Sequence, residues 1–280
     1  MTKKVSNYFQ GKTVLITGAS SGIGEALCRA LARQGANLIM VARQRAPLDS
    51  LANELQEMTQ AQAISLDISD ELAVNQLANK INLNAIDILI NNAGIAHCAR
   101  FEDLYQTDFR SMIEVNYLGQ VWMTRLLLPV MKENGEGQII NIASMAGVLG
   151  LAGYTGYGAS KFALVGFTEA LRNELSGSNI GLTLILPSDV DTPQLEREEA
   201  DKPTATRALS GKVKPLSADH AATQILVAIR KRKREAVVSP FSGRILMRLC
   251  RLFPGISKTV LDAITRPHNQ QCGQEFKLRV

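Results

Sequence analysis

The chain has 280 residues, 46% hydrophobic and 20% charged, an ordinary globular composition long enough to bury a full core. Its net charge of +5 is matched by the run Arg230-Lys231-Arg232-Lys233-Arg234 alone, so the remainder is near neutral and offers no broad basic surface for nucleic acid. The cysteines (Cys28, Cys98, Cys250, Cys272) and histidines (His97, His220, His268) are scattered without metal-ligand spacing, which points to a reducing, cytoplasmic setting and no metal.

Strand-like and helix-like patterns alternate along the chain. Met1 to Gln10 is polar and lacks the apolar core of a secretory signal. Val14-Leu15-Ile16 predicts a short buried strand, and Gly22 to Gln34 a helix stopped by Gly35. Asn37 to Ala42 predicts a second strand, with a helix from about Pro47 to Met58 after it. Ala63 to Leu66 predicts a third, with a helix from about Asp70 to Lys80. Ile86 to Ile90 predicts a fourth, ending in Asn91-Asn92-Ala93-Gly94. Leu118, Val121, Trp122, Leu126 and Leu127 recur at helical spacing and predict a long helix from Asp108 to Lys132. Gln138 to Ile142 predicts the fifth strand, followed by a helix carrying Tyr157. Leu182 to Leu186 and Ala236-Val237-Val238 predict the sixth and seventh.

No charged residue occurs from Gly137 to Ser160, a length that could cross a bilayer. Asn141, Ser144 and the glycines there would be unsatisfied in lipid, so the segment reads as a buried strand entering an active-site loop. Repeated βα units with continuous apolar strands predict a single α/β domain over residues 1–240. Its expected architecture is a Rossmann-type, doubly wound parallel sheet with helices on both faces. Pro187 to Pro215 is polar and long, and a functional lid is expected over about 188–215. The basic run follows the helical pattern Ala221 to Ile229, where cations suit a helix C-terminus.

Thr17-Gly18-Ala19-Ser20-Ser21-Gly22-Ile23-Gly24 lies between the first strand and the first helix. Gly18 permits the turn, Gly22 lets backbone approach a pyrophosphate, and Gly24 lets helix and strand pack closely. Ser20 and Ser21 add hydroxyls to the free N–H groups of the helix N-terminus. The second strand ends Val41-Ala42-Arg43, with no acid until Asp49. Arg43 therefore faces a ribose 2′-phosphate in this reading, and the expected cofactor is NADP(H).

Tyr157 and Lys161 are one helical turn apart on one face, with Ser144 thirteen positions before the tyrosine (157 − 144). A free phenol titrates near ~10; a neighbouring ammonium is expected to pull it toward the working range as a general acid. Ser144 can hydrogen-bond a carbonyl oxygen as negative charge develops on it. Tyr8 and Lys12 have the same spacing but lie in a polar stretch before the first strand.

On these residues the chain resembles the classical short-chain dehydrogenases/reductases over roughly residues 11–240. The matching pieces are Thr17–Gly24, Asp67, Asn91-Asn92-Ala93-Gly94, Asn116, Ser144, Tyr157 and Lys161. The resemblance implies that Tyr157 is the acid/base, Lys161 also holds the nicotinamide ribose, Ser144 orients the carbonyl and Asn116 completes a proton relay. It also implies that Asp67 and Ile68 contact the adenine, that Asn91, Ala93 and Gly94 line the cofactor cleft, and that Pro187, Val190 and Thr192 approach the nicotinamide. Dimers or tetramers through two long central helices are implied as well. After the sixth strand the family's usual Gly is replaced: Pro187 is followed by Ser188, then Asp189-Val190-Asp191-Thr192-Pro193, Glu198-Glu199 and Lys202-Pro203. This run is similar to that of 3-ketodihydrosphingosine reductases, which implies NADPH-dependent reduction of a long-chain 3-keto lipid. A 3-oxoacyl thioester, a steroid, or a non-catalytic NADP(H)-binding regulator remain alternatives.

Residues 241–280 form a basic amphipathic extension. Ile245, Leu246, Leu249 and Leu252 share a helical stripe edged by Arg244, Arg248 and Arg251, and Val260, Leu261 and Ile264 begin a second apolar face. Two roles are open: peripheral membrane contact through about 241–265, or packing that covers the substrate cleft.

Overall fold

The computed structural model describes residues 8–204, 206–207, 214–255 and 258–266. His268, Cys272 and parts of the expected lid and tail lie outside these residues. Seven strands form one parallel sheet: β1 (Thr13–Thr17), β2 (Asn37–Ala42), β3 (Ala61–Ser65), β4 (Ile88–Asn91), β5 (Gly137–Ile142), β6 (Ile180–Pro187) and β9 (Glu235–Val238). Their spatial order is β3-β2-β1-β4-β5-β6-β9. A small second sheet pairs β7 (Val190–Asp191) with β8 (Leu216–Ser217).

The strands are apolar throughout because helices cover both faces, and side chains alternate between two cores. Val14, Ile16, Leu38, Met40, Ile88 and Ile90 enter one core, with α1 (Gly22–Ala32), α2 (Arg45–Leu55) and α8 (Ala218–Arg230) above them. Leu15, Ile39, Val41, Leu89 and Ile139 enter the other. There they meet α3 (Glu71–Asn75), α5 (Gly119–Glu133) and α6 (Thr155–Glu174).

The long central helix runs from α4 (Gln106–Ile113) through a π-helical turn (Glu114–Leu118) into α5, two residues earlier at its start than the periodicity predicts. Asn116 lies within that turn, and such turns commonly serve a site. The basic run is a helix end, as its position suggests. α8 stops at Arg230, Arg232 adopts φ 45°, and its guanidinium donates to Asn179 O at 2.7 Å.

The expected lid is partly regular. Its polar sequence folds as α7 (Pro193–Asp201), capped by Thr192, whose Oγ1 accepts from Leu195 N. The C-terminal extension forms α9 (Phe241–Leu252) and a helix over 258–266, α10. Gly243 and Met247 bury α9 against the body, Arg244 donates to Ser239 O and Gln224 Oε1, and Arg251 pairs with Glu235.

Strand order reverses between β1 and β4, and the crevice that opens there sets the position of a ligand site. Across it Gly18, at φ +66°, lies so close that a Cβ would meet Ala93 Cα at 2.7 Å. A Cβ on Gly24 would fall 2.1 Å from Gly18 O. Gly24→Ala must therefore push α1 off β1, and unfolding should show a loss of about 1–3 kcal/mol together with weakened dinucleotide binding. Wild-type stability in that variant would contradict the close packing.

Candidate active site

One cavity of about 830 Å³ runs along the carboxyl ends of the strands, within the range of small-molecule pockets. At one end are Gly18, Ser20, Ser21, Gly22 and Ile23. Ser21, the residue before α1, makes no side-chain cap, so the first N–H groups of α1 are left for a ligand. Gly22 has φ +58°, and a Cβ there would meet Thr192 Cγ2 at 3.0 Å, so only glycine leaves the cradle open. Bare amides at a helix N-terminus, a glycine cradle and an arginine beyond it fit a dinucleotide. Arg43 NH1 stands 3.9 Å from Asp67 Oδ2, both partly exposed, with Ile68 beside them in the cavity lining. Ala93, Gly94, Pro187, Val190 and Thr192 line its middle.

Three expected site residues stand elsewhere. Asn91 is fully buried: its Nδ2 donates to Asn141 Oδ1 (2.9 Å) and Thr124 Oγ1 (3.0 Å), and it does not reach the cavity. Its neighbour Asn92 lines the cleft and donates to Thr17 O and Gly18 O, tying the fourth strand to the cradle. The period of two sends adjacent residues to opposite faces, so the repeated Asn-Asn hides which one matters. Gly24 is a packing contact beneath the cradle. Asn116 is fully buried behind the cavity: Oδ1 accepts from Ile95 N (2.8 Å), and Nδ2 donates to Ile95 O (2.8 Å) and Ser160 Oγ (2.9 Å). Its side chain is thus engaged in fixing the 92–95 loop to α6.

Ser144, Tyr157 and Lys161 converge on the cavity floor. Ser144 leaves β5 in extended conformation (φ −168°), and its Oγ accepts from Ala146 N at 3.1 Å. Lys161 is buried, donates to Ile142 O at 3.0 Å, and stands 5.7 Å from the Tyr157 ring centroid.

The electrostatics differ from the expectation. Burial pushes the Tyr157 phenol above its ordinary value, the charges of Glu198 and Asp189 push it further, and a hydrogen bond with Ser144 opposes them. Burial also lowers the Lys161 ammonium to about 8, against a smaller opposing effect of Glu198. Burial and the two carboxylates, not the ammonium, set the direction, and Tyr157 is held protonated near neutral pH.

Of the two roles left open for the tail, packing over the cleft accounts for much of the far half of the cavity; the place of α7 in its wall was not expected. Gln194, Glu198, Leu246, Leu249, Phe253, Val260, Leu261 and Ile264 line that half, drawn from α7, α9 and α10. The two apolar faces of the tail were the available signal for Leu246, Leu249, Val260, Leu261 and Ile264, but not for Phe253, which follows α9. The tail therefore forms the cleft wall, while Phe241, Leu252, Phe253 and Val260 remain more than half exposed.

Comparison with known proteins agrees with this architecture. The short chain dehydrogenase family model matches residues 12–203. A 3-ketodihydrosphingosine reductase of Bos taurus is 36% identical over 226 residues, spanning 77% of this chain and 68% of the relative. A 3-oxoacyl-acyl-carrier-protein reductase of Thermotoga maritima is 34% identical over 67% of this chain and 78% of its own. Among solved structures, a short-chain dehydrogenase from Sphingobium yanoikuyae in complex with NADPH is 28% identical, with a TM-score of 0.75 over 88% of this chain and 95% of that one. One from Burkholderia phymatum in complex with NAD is 26% identical, with a TM-score of 0.78 over 89% and 96%. The fold, the NAD(P) cradle and the sequence match together place this chain among the short-chain dehydrogenases, a family of NAD(P)-dependent oxidoreductases.

Proposed function

We propose that the chain uses NADPH to reduce the ketone of a long-chain 3-keto lipid to a secondary alcohol. The observation that carries this reading is a polar floor of Ser144 and Tyr157 in one cavity with an apolar wall from α9 and α10. A small polar ketone would need no such wall. The name of the bovine relative supports a sphingoid ketone, and the Thermotoga relative favours a 3-oxoacyl thioester as the second reading.

NADPH, when bound, supplies the hydride. Ser144 Oγ and the Tyr157 hydroxyl, both on the cavity floor, would hold the carbonyl oxygen of the substrate. Tyr157 then donates its proton as that oxygen becomes negative. A phenol held up by burial is a suitable donor because it stays protonated until the reaction calls on it. Lys161, fixed by Ile142 O, would offer its remaining N–H groups to the ribose of a bound cofactor and stabilise the phenolate left behind. Asn116 acts as a strut that keeps Ile95 and Ser160 in register with these groups.

The C-terminal helices suit peripheral contact with a lipid surface, from which such a substrate comes. Among the described residues, no helix is long and apolar enough to cross a membrane. Arg244 and Arg251, at the edges of the apolar stripe, bind the protein body. Any contact would use the exposed side chains of Phe241, Leu252 and Phe253, together with the exposed cations Arg248 and Lys258. Association of copies through α5 and α6 is the family's habit, and the exposed Phe162 on α6 is consistent with it.

Cofactor choice should rest on Arg43. In Arg43→Ala, titration should show NADPH binding weakened about tenfold or more, with NADH binding little changed. Equal loss of both cofactors would remove Arg43 from 2′-phosphate recognition.

Tyr157→Phe should keep NADPH binding and lose about 10²–10⁴ in turnover of 3-ketosphinganine, whereas Lys161→Ala should lose both. Because the Tyr157 shift is upward, the acid form persists as pH rises, so reduction should show no loss from about pH 6 to 8. Oxidation of the alcohol, which needs phenolate, should accelerate over the same range. A Tyr157→Phe enzyme with a tenth or more of wild-type turnover would place the proton donor elsewhere.

The full chain should co-sediment with vesicles of anionic lipid. Replacing both Phe241 and Leu252 by Ser should weaken that binding without changing turnover of a detergent-dispersed substrate. Identical sedimentation of the two proteins would assign the tail to cleft packing alone.

A further inference from the structure

The cleft contains a carboxylate that the hydride and proton transfers do not use. Glu198 lies on α7 and is only 8% exposed, and it lines the same cavity as Ser144 and Tyr157. Its Oε2 accepts from the Tyr154 hydroxyl at 2.7 Å, and its Oε1 from Gln194 Nε2 at 2.9 Å. The Tyr154 and Tyr157 rings are 5.6 Å apart, so Glu198 lies one ring away from the proton donor.

Both hydrogen-bond partners are neutral, and each carboxylate oxygen retains a lone pair. The cations around it act only from beyond contact: burial raises the Glu198 carboxyl above its ordinary value, and the charge of Lys202 opposes this without an ion pair. Lys202 is buried, yet it lies 3.8 Å from Asp189 Oδ2 and bonds Glu199. Arg207 donates to the main-chain oxygens of Lys202 and Glu199, and Lys161 to Ile142 O. Arg197 is exposed at the cavity edge. Among the described residues none forms an ion pair with Glu198.

A buried carboxylate with no cation in contact among the described residues is costly, and a purely apolar ketone would be better served by Gln or Leu at this position. An incoming cation would remove that cost and favour the ionised form. We propose that Glu198 is the recognition site for an ammonium group carried next to the reacting ketone. The ligand class is then a long-chain amino ketone. Its oxygen meets Ser144 and Tyr157, its nitrogen meets Glu198, and its chain lies along Leu246, Leu249 and Val260. The position of the ketone rests on the reductase reading, whereas the ammonium site rests on the surroundings of Glu198 alone.

The test uses the full chain loaded with NADPH and two readouts. The first is the affinity of two non-reducible probes of equal length, dodecylammonium and dodecanol, measured by titration calorimetry. The wild type should prefer the ammonium by about tenfold or more, as expected for a charge-assisted contact, and Glu198→Gln should bind the two alike. The second is kcat/KM for 3-ketosphinganine against its N-acetyl derivative. Glu198→Gln should lose about tenfold on the amine, mainly in KM, and little on the amide. Tyr154→Phe, which loosens α7 but keeps the charge, should retain the preference, as should Glu199→Gln. A merely structural role for Glu198 would lower both substrates together. Equal binding of the two probes by the wild type overturns the proposal even if Glu198→Gln fails to fold, and so does an unchanged preference in a folded Glu198→Gln. Ammonium preference without turnover of any 3-keto lipid would support the site and remove the reductase reading instead.

Discussion

The loop from Asn92 to Ile95 is the piece to which the two halves of the site are tied. Thr17 Oγ1 accepts from both Asn92 N and Ala93 N at 3.0 Å, and Asn92 Nδ2 returns bonds to Thr17 O and Gly18 O. This clasp joins β1 to β4 at the point where strand order reverses, which fixes the cradle relative to the rest of the sheet. Two residues further, Ile95 is gripped at both its N–H and its C=O by Asn116, which also holds Ser160 on α6. A continuous path of hydrogen bonds therefore leads from the dinucleotide cradle to the turn of α6 that bears Tyr157 and Lys161. Every member of it is an uncharged polar group with a named partner, and such networks hold a single geometry because breaking one leaves a buried group unsatisfied.

The two Tyr-x-x-x-Lys pairs differ in their surroundings and not in their spacing. Lys12 Nζ stands 5.6 Å from the Tyr8 ring centroid, almost the distance between Lys161 and Tyr157. The pairwise geometry is the same. The difference lies in the surroundings: Tyr8 donates to Gln138 Oε1 and Lys12 approaches Asp87, at the sheet end away from the crevice. Tyr157 instead faces the cavity, enclosed, beside Ser144 and two carboxylates. Its proton is held by burial rather than released by the lysine, an arrangement suited to an acid in reduction.

What was legible in the sequence follows the same division. The strands, the glycine cradle, Ser144, Tyr157 and Lys161 could be read because each is a local pattern: a run of apolar residues, a spacing, or a turn needing glycine. Asn92 could not be told from Asn91 because the choice depends on which face of β4 each residue takes, and the answer lies with Thr17 and Thr124 far away in the chain. The helix α7 was hidden by its composition, Pro-Gln-Leu-Glu-Arg-Glu-Glu-Ala-Asp, which shows little apolar periodicity. Its start was nonetheless written in Thr192-Pro193, a capping hydroxyl followed by proline at the first helical position. Arg244 and Arg251 looked like lipid-facing cations because helix geometry alone puts them at the edge of the stripe. Only the tertiary fold brings Gln224, Ser239 and Glu235 within their reach.

The arrangement of charge along the cavity also explains why its two ends are built from different parts of the chain. The dinucleotide end uses backbone amides and glycines, which offer positive potential without a mobile side chain, and these come from the sheet and α1. The other end must accept whatever is reduced, and it is assembled from α7, α9 and α10, elements added around the sheet. Gly153, at φ +81°, marks the junction. A Cβ there would strike Thr206 Oγ1 at 2.5 Å and Pro203 Cδ at 3.0 Å, and the hydroxyl of Thr206 reaches Ala152 O at 2.6 Å. The added elements therefore bear directly on the turn before Tyr154, and Tyr154 in turn bears on Glu198 and packs its ring near Tyr157. Ser144, Tyr157 and Lys161 are held by the end of β5 and by α6, while the far end of the cavity is lined by helices packed around them. A change of length or polarity in α7 or α9 would alter what enters the cleft without disturbing Ser144, Tyr157 or Lys161.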